Sequence, residues 1–99
     1  NSVDMGKFTK HLQTATIVRK SKIRYIQFNG KNYELIVDYI MSKNWDNDVL
    51  SESSESIIIE IDGRRKYIYV GDYVVWDVFS KKLSIMNAEE WKKFSENFV

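Results

Sequence analysis

The residues best equipped for chemistry are two clusters in which basic side chains run into tyrosines. Arg64-Arg65-Lys66 precedes Tyr67 and Tyr69, while Arg19, Lys20, Lys22 and Arg24 precede Tyr25. Arginine supplies forked donors that match a phosphate, and an aromatic ring stacks on a nucleobase. Such a surface suits a small nucleotide or a single strand of nucleic acid. The plainer explanation is protective: charge on a sheet edge or turn keeps it soluble and blocks edge-to-edge pairing. Trp76-Asp77 adds a carboxylate beside an indole. Strand alternation puts Asp77 on one face with Tyr73, Val75 and Phe79. It reads as a half-exposed edge carboxylate or as a polar group set to meet a ligand or partner. Trp45 stands in a polar stretch, where it either covers an edge of the core or anchors a partner, Trp being enriched in interface hot spots.

Catalysis finds less to work with. His11 is the sole histidine, and there are no cysteines. A triad or a histidine metal site needs a positioned second group, and thiol chemistry and cysteine zinc sites are excluded. Asp62 and Asp72 each neighbour a glycine, so turn chemistry explains them. No glycine-rich phosphate loop of known spacing occurs. The sequence therefore reads as a non-enzyme with no cofactor, no metal and no catalytic residue.

The bulk properties set the frame. Ninety-nine residues make one domain, and 43% hydrophobic with 29% charged residues is the composition of a folded one. The formal charge of +1 supports neither a dedicated DNA-binding protein nor an acidic DNA mimic. No apolar run approaches the ~20 residues of a membrane span, and no signal peptide is visible. A chain free of cysteine suits a reducing cytoplasm. Proline is absent while lysine, isoleucine and asparagine abound, the bias of an AT-rich genome. Asn1-Ser2-Val3-Asp4 reads as a cloning remnant with Met5 as the natural start, leaving 5–99 as a single α+β domain.

The elements that must position these residues follow from periodicity. Residues 5–13 sustain no period. Thr14 to Val18 and Ile23 to Phe28 read as two strands or one long bent strand, with Arg24, Ile26 and Phe28 on one face and Ile23, Tyr25 and Gln27 on the other. Tyr33, Ile36, Val37, Ile40 and Met41 recur at helical steps, giving a helix over about 32–43 with Asn32 as its cap. Residues 44–56 have loop composition. Ile57, Ile59 and Ile61 face inward on a strand, and Asp62-Gly63 is a hairpin turn. Gly71-Asp72 then bends the chain into Tyr73 to Phe79, and Ser80-Lys81-Lys82 turns it into Leu83 to Met86. Tight connections of this kind imply an antiparallel meander. Asn87 with Glu90 forms a capping box, and Trp91, Phe94 and Phe98 make one stripe of a second helix at about 88–98. The predicted fold is α+β: a small antiparallel sheet or partly open barrel of about five to six strands, with two short helices.

Three stretches together carry a family resemblance. Ile26-Gln27-Phe28-Asn29-Gly30-Lys31-Asn32-Tyr33-Glu34 resembles the "IQ-aromatic-T-G-x-N-aromatic-E" stretch of small phage and prophage accessory proteins. Val70-Gly71-Asp72-Tyr73-Val74-Val75 matches their "V/P-G-D-Y/W-I/V" turn, and Asn87-Ala88-Glu89-Glu90-Trp91 matches their terminal segment. The resemblance covers residues 14–98. Lys81-Lys82 departs from the usual glycine-glutamate, and Trp76-Asp77 is foreign to the pattern. The resemblance implies a phage-encoded accessory protein in the bacterial cytoplasm and carries over no catalytic residue. The leading expectation is a non-enzymatic inhibitor or sequestering protein. It would bind a host or anti-phage defence protein, or a nucleotide signal, by stoichiometric contact. The alternatives are a nucleic-acid-binding module on the basic–tyrosine surface, which near-neutral charge disfavours, and a minor virion or assembly protein. Self-pairing through an exposed strand edge would give a homo-oligomer.

Overall fold

The computed structural model describes residues 12–16, 22–43 and 48–98. In chain order they form β1 (Gln13–Thr16), β2 (Lys22–Gln27), α1 (Tyr33–Lys43), β3 (Asp48–Glu52), β4 (Ser56–Ile61), β5 (Arg64–Tyr69), β6 (Tyr73–Asp77), β7 (Lys82–Met86) and α2 (Ala88–Ser95). The strands make two antiparallel sheets, ordered β1-β2-β6-β7 and β3-β4-β5. The class is α+β, and the sheets do not close into a barrel.

Alternation along β2 and β6 builds a core on each side of the four-stranded sheet. Ile26, Phe28 and Val74 point inward and pack with Ile36 and Ile40 of α1 and with Ile57, Ile59 and Ile68 of the other sheet. On the opposite face Ile23 and Val75 are covered by Trp91, Phe94 and Phe98. Tyr25 joins this second layer, its ring centroid 4.2 Å from that of Trp91. The short α2 survives because it is capped and packed. Asn87 Oδ1 accepts from the Glu90 N–H (2.8 Å), and Glu90 Oε1 accepts from the Asn87 N–H (2.9 Å), the capping box read from the sequence.

Several expectations change. Of the two forms left open for residues 14–28, the structure takes the two strands, β1 pairing with β2 as an antiparallel neighbour. The stretch read as loop contains β3, so seven strands stand where five or six were expected. Its composition is polar because only Val49 turns partly inward, and pairing with β4 supplies the rest. In α1 the buried residues are Ile36, Tyr39 and Ile40, whereas Met41 is 39% exposed. The Asn32 side chain works backward, accepting from the Asn29 N–H and donating to the Gln27 carbonyl at 2.9 Å each. Strand β6 stops at Asp77 rather than Phe79, because the Asp77 carboxylate accepts from the N–H groups of Phe79 (2.9 Å) and Ser80 (3.1 Å) and turns the chain.

The expected meander is also divided. β4 and β5 form one hairpin through Asp62-Gly63, whose φ values of +53° and +77° suit a type I′ turn. β6 and β7 form another in the other sheet. Val70-Gly71-Asp72 carries the chain between the sheets. Gly71 has φ +99°. The Phe28 N–H donates to the Asp72 carbonyl and the Gly71 N–H to the Phe28 carbonyl, both at 2.8 Å. Asp72 Oδ2 accepts from the Tyr69 N–H at 2.8 Å. Beside this corner Gly30 adopts φ +85°, and a Cβ there would lie 2.8 Å from the Ser54 carbonyl oxygen.

These two glycines separate two costs. A Cβ on Gly71 meets nothing within 4 Å. Gly71→Ala is therefore expected to lose only the backbone preference, about 1–2 kcal/mol. Gly30→Ala adds the clash with backbone and is expected to lose about 2–4 kcal/mol. Urea denaturation of both variants measures the difference; equal losses would show that the corner is not tightly packed at Gly30.

Candidate functional site: a basic cleft between two sheet edges

Strand β5 ends one sheet and β7 ends the other. An open cleft lies between them. One lobe, about 530 Å³, is lined by Lys43, Ile61, Asp62, Trp76, Ser80, Lys81, Lys82 and Leu83. A second, about 390 Å³, shares Ile61, Asp62, Lys82 and Leu83 and adds Arg64, Lys66, Ser84 and Ile85. Both volumes suit small-molecule sites, which span about 300–1,000 Å³. Among the described residues five cations and a single carboxylate thus line one space, although the whole chain is nearly neutral.

Register explains how they arrive there. Arg24 stands opposite Trp76, and Trp76 opposite Leu83, a row across the inner face of the four-stranded sheet. On β5, Arg64 and Lys66 share the inward side with buried Ile68, while Arg65, Tyr67 and Tyr69 take the outward side. Lys43 closes the last turn of α1, where the helix dipole favours a cation. Its Nζ lies 4.7 Å from the Tyr39 ring centroid and 5.1 Å from that of Trp76. Both are within the range of a cation–π contact.

The electrostatics behind the cleft are unbalanced. Burial lowers the Lys43 pKa, and the Arg24 guanidinium lowers it further. Arg24 lies on an interior strand, and its Nε is buried with no hydrogen-bond partner among the described residues. Edge protection accounts for cations on β5 and β7. It does not account for Arg24 and Lys43, which stand behind those edges and repel each other. A buried donor without an acceptor costs about 1–3 kcal/mol. An anion entering the cleft beside Lys43 would offset part of that repulsion.

The residues singled out by type do not form one surface. Arg64 and Trp76 line the cleft, and Arg24 stands behind it. Arg65, Tyr67 and Tyr69 lie on the far side of β5. There the two tyrosine rings run parallel, 6.2 Å apart and 8° from coplanar in direction, and are 46% and 55% exposed. Tyr25 is taken up by the layer under α2. Asp77 is absorbed by its turn and borders a shallow depression of about 230 Å³ on the α2 side. Trp45, Arg19, Lys20 and His11 lie outside the described residues. Sequence reasoning named Lys66 with its basic neighbours but missed Lys43, Lys81 and Lys82 as site residues. The spacing of Tyr39 and Lys43, one helical turn apart, is the signal that could have found Lys43. Among the described residues no three metal-binding side chains converge, and no helix is long and apolar enough to cross a membrane. The chain matches no family model, no curated protein and no solved structure.

Burial pushes the Tyr39 pKa from 10.0 up to about 12, with Arg24 pulling the other way. The folded value lies above the unfolded one. The neutral phenol therefore contributes stability that is complete below pH 10 and lost as pH rises to about 12. The loss is on the order of 2 kcal/mol. Denaturation between pH 9 and 12 is expected to show this fall in the native chain and a flatter profile in Tyr39→Phe. Parallel profiles would place the alkaline transition elsewhere.

Proposed function

We propose that this protein is a non-catalytic sequestering protein that holds a phosphate-bearing small molecule of the nucleotide class in the basic cleft. The observation that carries this reading is the pairing of Lys43 with Arg24 behind a cleft further lined by Arg64, Lys66, Lys81 and Lys82. Like charges drawn together, with Asp62 the one carboxylate lining the cleft among the described residues, favour an anion. Trp76 and the aliphatic Ile61 and Leu83 supply apolar surface for the rest of a ligand. The two lobes are of small-molecule size, so a small ligand fits better than a long nucleic acid. The resemblance to small phage accessory proteins supports a setting in the cytoplasm of an infected bacterium. There, capture of a nucleotide signal would act as inhibition by stoichiometry.

A second reading rests on a separate observation. Tyr67, Tyr69 and Val70 are 46%, 55% and 55% exposed, and the tyrosines lie on one sheet face. Exposed aromatics of this kind suit contact with a host or defence protein. That surface and the cleft lie on opposite sides of β5, so substitution separates them.

Isothermal titration with adenosine nucleotides at low salt tests the first reading. Lys43→Met keeps the aliphatic stem and removes a charge that repels Arg24. It is expected to leave stability unchanged or raise it by under about 1 kcal/mol while weakening binding about tenfold or more. Tyr67→Ser with Tyr69→Ser should leave nucleotide binding intact. The salt dependence should be shallow, because few charges are neutralised, whereas a nucleic-acid module would show a steep one. No heat and no shift in melting temperature with any nucleotide would remove the reading.

A further inference from the structure

The two lobes of the cleft differ in a way that restricts the ligand. One lobe carries Lys43 and Lys81, and the other carries Arg64 and Lys66. The part they share is different in kind. Ile61 and Leu83 give it apolar walls, and Asp62 adds the one carboxylate among the described residues, with Lys82 facing both lobes. Asp62 is fixed there by the hairpin turn, where it adopts φ +53°. A carboxylate at the waist repels a phosphate and accepts from a hydroxyl or amine donor.

Resting on the nucleotide reading above, we propose that the cleft recognises a ligand with two separated phosphates and a neutral, donor-bearing middle: a nucleoside phosphorylated at two positions, or a dinucleotide. The phosphates take the two cationic lobes. The sugar hydroxyl or base amine meets Asp62, and the apolar edge of the nucleoside lies on Ile61 and Leu83. A continuous polyphosphate of similar charge is disfavoured, because its centre offers no donor to Asp62 and its central charge meets that carboxylate as well as Lys82. Edge strands flanking the cleft also leave room for an acidic extended peptide. The two lobes, about 530 Å³ and 390 Å³, are of small-molecule size, which favours the smaller ligand.

The test compares adenosine 5′-monophosphate, adenosine 3′,5′-bisphosphate, a 5′-phosphorylated linear diadenosine dinucleotide, tripolyphosphate and a hexaglutamate peptide by titration calorimetry. At least one two-phosphate nucleoside ligand is expected to bind about tenfold tighter than the monophosphate, the gain of an additional charge-assisted contact. Arg64→Ala with Lys66→Ala should erase that advantage, bringing the two-phosphate ligands down to the affinity of the monophosphate; both side chains are exposed, and an unchanged melting temperature confirms the fold. Asp62→Asn should raise tripolyphosphate affinity, the asparagine keeping the positive-φ turn. Equal affinities for the monophosphate and both two-phosphate ligands would overturn the inference and leave the nucleotide reading standing. So would tripolyphosphate binding as tightly as the best nucleoside ligand with no response to Asp62→Asn. Binding of the peptide alone would overturn both, as would binding of none of the five.

Discussion

The corner at Phe28, Gly71 and Asp72 is the constraint on which the rest depends. Two reciprocal backbone hydrogen bonds at 2.8 Å tie the end of β2 to the bend between the sheets. The Asp72 carboxylate, bonded to the Tyr69 N–H, holds the exit of β5 in the same place. Gly71 supplies the backbone angle, and Gly30 leaves the space in which Ser54 approaches. The consequence is topological. Because the chain changes sheets here, β5 and β6 cannot pair, and β5 is left as an edge facing β7. The cleft is therefore a product of the corner, although the corner contributes none of its lining.

The inward pleat does the remaining work. The same alternation that buries Ile68 sends Arg64 and Lys66 into the cleft and leaves Arg65, Tyr67 and Tyr69 outside. The row that buries Val74 and Ile26 places Trp76 and Arg24 one step further along, where the core opens. α1 lies over this opening and delivers Lys43 at its last turn. Hydrophobic packing thus fixes the elements, and their ends carry charge into a shared space. The repulsion between Arg24 and Lys43 is small against the burial of the aliphatic core, where each fully buried side chain is worth about 1.5–3 kcal/mol. The fold can therefore sustain a cationic site.

Much of the fold was legible because local signals and tertiary outcome agree. The Asp62-Gly63 hairpin, the Asn87 capping box and the inward Ile57 and Ile59 all behave as their residue types require. What was not legible depended on distant partners. β3 has a polar sequence and becomes a strand through pairing with β4. Tyr39 lies off the stripe chosen by period, yet α1 is covered broadly enough to bury it. The site was legible only in fragments. Arg64, Trp76 and Arg24 were singled out by type, but sequence neighbours were assumed to share a surface. The pleat separates Arg64 from Arg65 and Tyr67, while the sheet-to-sheet crossing brings Lys82 and Lys43 to it from far along the chain. Asp77 was suspected for want of an explanation, and its turn supplies one.

The most direct measurement is a ¹H–¹⁵N chemical-shift map of the protein titrated with a two-phosphate adenosine ligand. A ligand held in the cleft should shift the amides of Lys43, Ile61, Asp62, Lys82 and Leu83 and the Trp76 indole, while Tyr67 and Tyr69 stay in place. Shifts confined to Tyr67, Tyr69 and Arg65, or no saturable shift at low salt, would contradict the cleft as the site.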